Sequence, residues 1–420
     1  MTIPALLGAP VNLPTGRGRW RLVAYRRQFS TALPVAVGEL NTARGRRLEQ
    51  KLNEPASLTF TIDGHDPSAA QLLELATDVI AYRWDDRQGR DVAMFRGLID
   101  HSEDQITEQS AVVTFTAHDY LAMLNRRLLT SAASQYMNFA QWDQDAIVAQ
   151  LLNSARAAAS STNVSFSPGS YLPLAISQVD PSGVGRAYSG VLRDRNYQPG
   201  QNIGEAIDNL AAVINGFDYA ARPYGPQYQA DALAVYYPQQ GVTRDDAELV
   251  YGINVSSLTR TVSSGDYANY VRVIGNKASS DANAPQLFAE AWNNDANNIT
   301  VNPIGTWMTV ENASDVSLQT TLNEKAQGDL ATAGLIVPSY TVKLRPGAYT
   351  YGTPNMGDTV PLIIQEGRLN VNTLVRMVGL SFDIGEDGDE NVGVTLGRPA
   401  PNLVRLLTAG ANDIDALARR

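Results

Sequence analysis

The chain contains no cysteine, which excludes disulfides, thiolate zinc sites and thiol nucleophiles. Histidine occurs at three positions, His65, His101 and His118. No apolar run approaches the ~18 residues that a membrane-spanning helix needs. The opening MTIPALLGAPVNLPTGRGRW lacks a basic start followed by a long apolar stretch. It therefore reads as a Pro/Gly-containing arm of the kind that orders against a neighbouring subunit, not as a signal peptide. Charged residues make up only 18%, with a net charge of −10. That balance argues against phosphate-backbone binding as a main role, although an acidic wall would let nucleic acid slide past without sticking.

At 420 residues the chain exceeds what one hydrophobic core serves, so about two to four domains are expected. With 44% hydrophobic residues and abundant Thr, Asn, Gln, Ser, Gly and Tyr, its composition suits packed β-sheets and turns. Alternation marks strands at Trp20, Leu22 and Ala24, and again at Leu58, Phe60 and Ile62 between Pro55 and the Asp63-Gly64 turn. Further strands are predicted at Asp78–Tyr82, Met94–Asp100 and Val112–Ala117, a spacing that fits a barrel or sandwich. A helical period follows over His118–Leu129, with Tyr120, Leu121 and Leu124 on one side, and another over Asp145–Ala155. The stretch from Ala157 to about Gln201 is rich in Ser, Gly and Pro and reads as loops.

Asn202 opens the clearest helix: it can cap the first turn, Glu205 stands three residues on, and Ile203, Ala206, Ile207, Leu210 and Ile214 share a face before Gly216. With strands at Phe217–Ala221 and Ala232–Tyr237 it makes a small α+β insert. From Leu249 the strand pattern returns, with Val271, Val273 and a turn at Gly275-Asn276. Polar Ala278–Asn298 reads as an exposed loop around an apolar piece at Leu287–Trp292. Leu318, Leu322 and Leu330 mark a helix closing at Gly334. Strands are then predicted at Tyr340–Leu344, Thr359–Ile364, Leu374–Ile384 and Val392–Leu396, and Asn402–Arg420 suits a short helix or tail.

Two distant segments share an order of events. Asp78-Val79-Ile80, Phe95-Arg96-Gly97-Leu98-Ile99-Asp100 and Val112-Val113-Thr114-Phe115 are echoed by Asp358-Thr359-Val360, Val378-Gly379-Leu380-Ser381-Phe382-Asp383 and Val392-Gly393-Val394-Thr395-Leu396. Any two three-strand meanders share such a pattern; so do two related barrels flanking the insert.

Chemistry-bearing motifs are scarce. His65 precedes Asp66 and His118 precedes Asp119, but sequence neighbours point in different directions and make no relay. There is no Gly-x-Ser-x-Gly elbow, His-Glu-x-x-His or phosphate loop. Asp383–Asn391 (DIGEDGDEN) resembles a calcium loop, yet Gly385 stands where a ligand belongs and Val394 where the bidentate acid belongs, which favours a polar hairpin tip. The pairs Asp85-Asp86, Asp245-Asp246 and Glu386-Asp387 read as solvated turns, not as glycosidase acids. Tyr219, Tyr224, Tyr228, Tyr236 and Tyr237 cluster about the middle hairpin, where packing or a subunit interface is favoured over a sugar platform. No residue is assigned a catalytic, metal-binding or cofactor role.

The run EPASLTFTIDGHDPSAAQLLE, followed by DVIAYR, MFRGLIDHSED and VVTFTAHDYLAMLNRR, resembles the N-terminal domain of tail-tip proteins from long-tailed phages. Asp66, between His65 and Pro67, departs from the His-Pro step of that group. NYVRVIGN at Asn269–Asn276 is similar to an "N-x-V-x-V-x-G" strand of baseplate hubs, and Gly357-Asp358-Thr359-Val360 to the start of their later barrel. The resemblance implies a β-rich α+β, multidomain fold. Residues 20–130 would form a first tail-tube-related β-barrel-like domain, 131–248 an α+β middle domain, and 249–400 a second barrel-like domain with a helix and loop insertion. Residues 1–19 would be an arm and 401–420 a tail. It further implies a non-enzymatic, cofactor-free hub at the virion tail tip. Such a homotrimer would join the sixfold tail tube and distal tail protein to a threefold tip or fibre, contact the tape measure protein, and surround the path of genomic DNA. A hexameric distal tail protein and a module binding host cell-wall carbohydrate are the alternatives.

Overall fold

The protein is described from a computed structural model, which covers residues 20–26, 35–85, 89–129, 137–156, 174–176, 189–213, 215–224, 230–237, 239–265, 267–277, 285–293, 304–314, 316–334, 338–349, 354–386 and 389–397. The arm at 1–19, the tail at 401–420, Asp86, Asp387 and Tyr228 lie outside the described residues. Seven strands come first: β1 (Trp20–Arg26), β2 (Val35–Glu39), β3 (Arg44–Lys51), β4 (Ser57–Asp63), β5 (Thr77–Asp85), β6 (Arg90–Ile106) and β7 (Ala111–His118). The middle of the chain forms α1 (Tyr120–Leu124), β8 (Met137–Asp143), α2 (Gln144–Arg156), β9 (Leu174–Ile176), β10 (Leu192–Tyr197), α3 (Ile203–Ala211), β11 (Asp218–Tyr224) and β12 (Ala230–Tyr236). The remainder forms β13 (Leu249–Val250), β14 (Val255–Thr261), β15 (Tyr270–Lys277), β16 (Gln286–Trp292), β17 (Met308–Asn312), α4 (Gln319–Ala333), β18 (Ser339–Leu344), β19 (Thr359–Glu366), β20 (Leu369–Ile384) and β21 (Glu390–Leu396).

One 13-stranded sheet runs in the order β14-β18-β21-β20-β3-β4-β7-β6-β5-β1-β2, with β19 and then β13 branching from β20. This sheet contains the same pattern twice. The first copy is ordered β1-β5-β6-β7-β4-β3 and the second β13-β19-β20-β21-β18-β14, and the chain visits corresponding strands in the same sequence. The ladders agree residue by residue. Thr59 pairs with Thr116 as Thr341 pairs with Thr395, and Ile99 pairs with Ala117 as Met377 pairs with Leu396. A register shift follows at the same step in both. Even the turn before β5 and β19 is repeated: Leu75 (φ 59) donates its N–H to Ile99 O at 2.7 Å, and Gly357 (φ 84) donates to Met377 O at 3.0 Å.

The copies differ at three places, the first being β2, which pairs with β1 and has no described counterpart beside β13. β1 runs antiparallel to β5, whereas β13 runs parallel to β19. The short connection between β3 and β4 becomes, between β14 and β18, an inserted sheet β16-β15-β17 with α4 against one face. The ladders also correct the register of the sequence echo. Gly97 lies on the half of β6 that pairs with β5, whereas Gly379 lies on the half of β20 that pairs with β21 and β3, so the two glycines do not correspond.

The copies meet where β3 lies antiparallel along β20, from Lys51 opposite Gly379 to Arg46 opposite Ile384. Leu48 and Phe382 face each other there, both fully buried, in an apolar core that draws on both copies. The Trp20 ring packs on Phe382 at 5.1 Å and Tyr349 on its edge at 5.4 Å. Above them the buried Glu390 carboxylate accepts from Trp20 Nε1 at 2.8 Å and from Arg83 Nε at 2.9 Å and Nη2 at 2.5 Å. A buried charge is tolerated only when paired and hydrogen-bonded, so this contact fixes how the first copy sits on the second.

A second core gathers α1, α2 and α3 with β8, β10, β11 and β12; a third lies between α4 and the inserted sheet. Five sequence expectations change. The helix predicted at His118–Leu129 is confined to Tyr120–Leu124, because β7 continues through His118 and Leu129 is drawn into backbone hydrogen bonds with Gln201 and Gly200. The helix from Asn202 ends at Ala211, short of Gly216. Gly275-Asn276 lies inside β15, and Leu287–Trp292 is strand β16 paired to it. Within the supposed loop region, Leu192–Tyr197 pairs with β8.

Glu390→Ala, which strands Arg83 in the core, is expected to lower stability by about 3–5 kcal/mol in urea unfolding. Replacing both partners (Arg83→Met with Glu390→Leu) should recover most of that loss. Equal losses in the single and double variants would show that the pair does not hold the junction.

Candidate assembly surfaces

The residues that carry the family resemblance converge in space. Asp78 is the second residue of β5, Arg96 lies on β6 and Tyr120 opens α1; all three are buried. Arg96 Nη2 donates to Asp78 Oδ2 at 3.0 Å, Tyr120 Oη donates to Asp78 Oδ1 at 2.6 Å, and the guanidinium lies 5.2 Å over the Tyr120 ring. Gly97 beside them is required by close approach, since a Cβ there would meet the His118 carbonyl and the Phe95 ring. Asp119 caps α1 through Leu121 N–H and accepts from Ala56 N–H, both at 3.0 Å. The motif is thus a brace that holds the middle unit on the first copy.

A second joint forms at Asp218, the first residue of β11. Its carboxylate accepts from Asn53 Nδ2 at 3.1 Å, from the Gln240 N–H at 2.6 Å and from the Arg376 guanidinium. Asn53, in a left-handed conformation just after β3, also accepts from Tyr219 N–H at 2.8 Å. First copy, middle unit and second copy therefore share one buried carboxylate. Arg193 of β10 reaches Glu324 of α4 at 3.1 Å, which ties the middle unit to the inserted sheet as well.

The inserted sheet covers only one face. Val271, Val273, Ala289 and Ala291 are buried under α4, while Phe288, Trp292, Met308 and Val310 remain exposed. Tyr270 stacks on Trp292 at 6.3 Å, and Arg272 lies 4.3 Å over Phe288. Exposed apolar side chains gathered on one sheet face make it a candidate contact surface. It went unread in the sequence because β16 sits in a polar, Asn-rich stretch.

No protein-family model matches the chain, and no curated protein matches it in sequence. Solved structures do. A tail protein from Neisseria meningitidis MC58 aligns with a TM-score of 0.53 at 12% identity, over 90% of this chain and 97% of that one. The 43 kDa tail protein of prophage MuSo2 from Shewanella oneidensis aligns with a TM-score of 0.52 at 12% identity, over 90% and 98%. The fold is that of phage tail proteins.

Within this tail-protein fold the sequence candidates are dispersed. Exposed His65 contacts Asp63 at 3.1 Å beside an open groove lined by Thr42, Arg44 and Pro67. His118 Nδ1 contacts Asp100 at 2.9 Å. His101 is exposed on β6. Among the described residues no hydroxyl is hydrogen-bonded to His118, and no cluster of His, Asp and Glu is arranged to hold a metal ion. Asp383 faces Arg47 at 3.6 Å and Glu386 faces Arg44 at 3.4 Å, so acids of the β20–β21 hairpin neutralise β3 arginines. Asp246 is held by Arg244 at 2.7 Å, and Asp85 is buried. Tyr219 is buried and Tyr237 packs on Phe217 at 5.4 Å, so these two tyrosines serve the second core.

Burial pushes the Asp119 carboxyl from its ordinary 3.8 up to about 7, outweighing the amides that favour its charged form. The folded chain then keeps a proton that the unfolded chain releases near 3.8, so stability from this site is lost as pH rises from about 4 to about 7. Across that range the urea midpoint of the native chain should fall with pH relative to that of Asp119→Asn, which lacks this contribution. Identical slopes would contradict the assignment.

Proposed function

We propose that the chain is a structural tail protein of a phage virion, acting as a trimeric hub at the tail tip. The duplicated β unit is the observation that carries this reading. Two equivalent copies per chain let three chains present six similar positions, which matches a sixfold tube or distal tail ring on one side and a threefold tip or fibre on the other. The fold shared with tail proteins over 90% of the chain supports it. The acidic balance suits a channel through which DNA passes without binding.

The function is mechanical: rings of sheet surround the DNA path, and outer faces bind neighbours such as the distal tail and tape measure proteins. The exposed aromatic face around Phe288 and Trp292 is one such face. There Arg272 lies over Phe288 and the Tyr270 hydroxyl is engaged by Glu290, which suits an apolar protein surface better than a glycan.

Light scattering combined with cryo-electron microscopy averaging of the purified chain should reveal a threefold ring with two similar densities per subunit. A sixfold ring with one chain per position would instead make it a distal tail protein.

A further inference from the structure

The intrachain junction defines an unused counterpart. In the second copy, β19 pairs with only the first half of β20, Leu369–Arg376. The same edge of β20 beyond Val378 is taken by β3, the outer strand of the first copy. The first copy has the same construction. β5 pairs with β6 as far as Leu98, and the Leu75 N–H caps Ile99, just as Gly357 caps Met377. Beyond that point no described strand pairs with the β5-side edge of β6, and Glu103–Ile106 are exposed, Ile106 at 78%. At the other end of the sheet β14, the counterpart of β3, has β18 on one edge and no described strand on the other.

Resting on the trimeric reading, we propose that β14 of one chain pairs antiparallel with the second half of β6 of the next, repeating between chains the β3–β20 junction within each chain. The partner surface is therefore a second copy of this protein, and the contact is head-to-tail.

The register follows from the ladders without adjustable choice. Thr116 and Thr395 correspond, so His101 corresponds to Gly379, Glu103 to Ser381 and Asp104 to Phe382. Thr59 and Thr341 correspond, so Arg47 matches Thr259, Leu48 matches Arg260 and Glu49 matches Thr261. Transferring the β3–β20 pairs then sets Thr259 opposite Gln105, Arg260 opposite Asp104 and Thr261 opposite Glu103.

The place held inside the chain by buried Leu48 and Phe382 is thus held between chains by an arginine and an aspartate. Physically this is what the two junctions require. The inner one is never exposed, whereas the outer one must stay soluble before assembly and then select its partner. The wider charge agrees: β14 carries Arg260 as its sole charged residue, and the β6 edge carries Asp100, Glu103 and Asp104. The acidic β20–β21 tip likewise meets the arginines of β3.

The absence of cysteine makes the test clean. Glu49→Cys with Ser381→Cys is the control and should form an intrachain disulfide that reports a folded junction. Thr261→Cys with Glu103→Cys, at the corresponding positions, should oxidise into covalent multimers closing at three chains. A mixture of the two single variants should give only dimers containing one of each. Charge reversal should follow suit: Arg260→Asp or Asp104→Arg alone weakens assembly by about tenfold or more, and the two together restore it.

Failure to cross-link at any concentration, with the control disulfide formed, overturns the pairing. If light scattering then still shows three chains, the trimeric reading survives and only this contact is wrong. Homodimers of a single cysteine variant would also overturn it, since they require a two-fold contact. Covalent rings closing at six chains would keep the pairing and sink the trimer.

Discussion

Everything in this chain is arranged about the contact of β3 with β20. A strand from one end of the sequence lies against a strand from the other end, and the two copies of a repeated β unit become one sheet with one core. Backbone pairing alone would leave that seam free to slip or hinge. Leu48 against Phe382 gives it an apolar centre, and the Glu390 carboxylate, gripped by Arg83 and Trp20, gives it a buried anchor with little freedom of geometry. Ion pairs from Arg44 and Arg47 to the β20–β21 tip add partial neutralisation at the surface end, where each is worth little singly.

The other parts act as braces on that seam. Asp218 joins Asn53, Gln240 and Arg376, so the middle unit spans the junction. Asp78, Arg96 and Tyr120 fix its first helix to the first copy, and α4 reaches it through Glu324 and Arg193. These braces close the seam from both sides and hold the two copies in a fixed relation. The same geometry leaves β14 and the far half of β6 each with one edge that no described strand pairs, the two edges joined in the proposed interchain contact.

Much of this was legible in the sequence. Strands with one buried face announced themselves by alternation, as in Leu58, Phe60 and Ile62, and the Asn202 cap announced α3. The order of strands in the echo was right, but its register was not. Read in step, the two six-residue segments set Ile99 against Phe382, whereas the ladders match Ile99 with Met377. The decisive strand was invisible. β3 reads RGRRLEQK, with Leu48 its one buried residue, so no apolar alternation announces it. The Asp218 joint was equally hidden, since its side-chain partners Asn53 and Arg376 lie 165 and 158 positions away. The exposed face of β16 escaped notice because its burial pattern alternates in a region whose composition signals a loop.

Hydrogen exchange followed by mass spectrometry tests the unity of the two copies most directly. If the β3–β20 seam makes them one cooperative structure, amides of β4–β7 and of β18–β21 will open together, with β3 and the second half of β20 among the slowest. Independent exchange of the two sets, with β3 labelling early, would contradict the account and reduce the shared sheet to two units in contact.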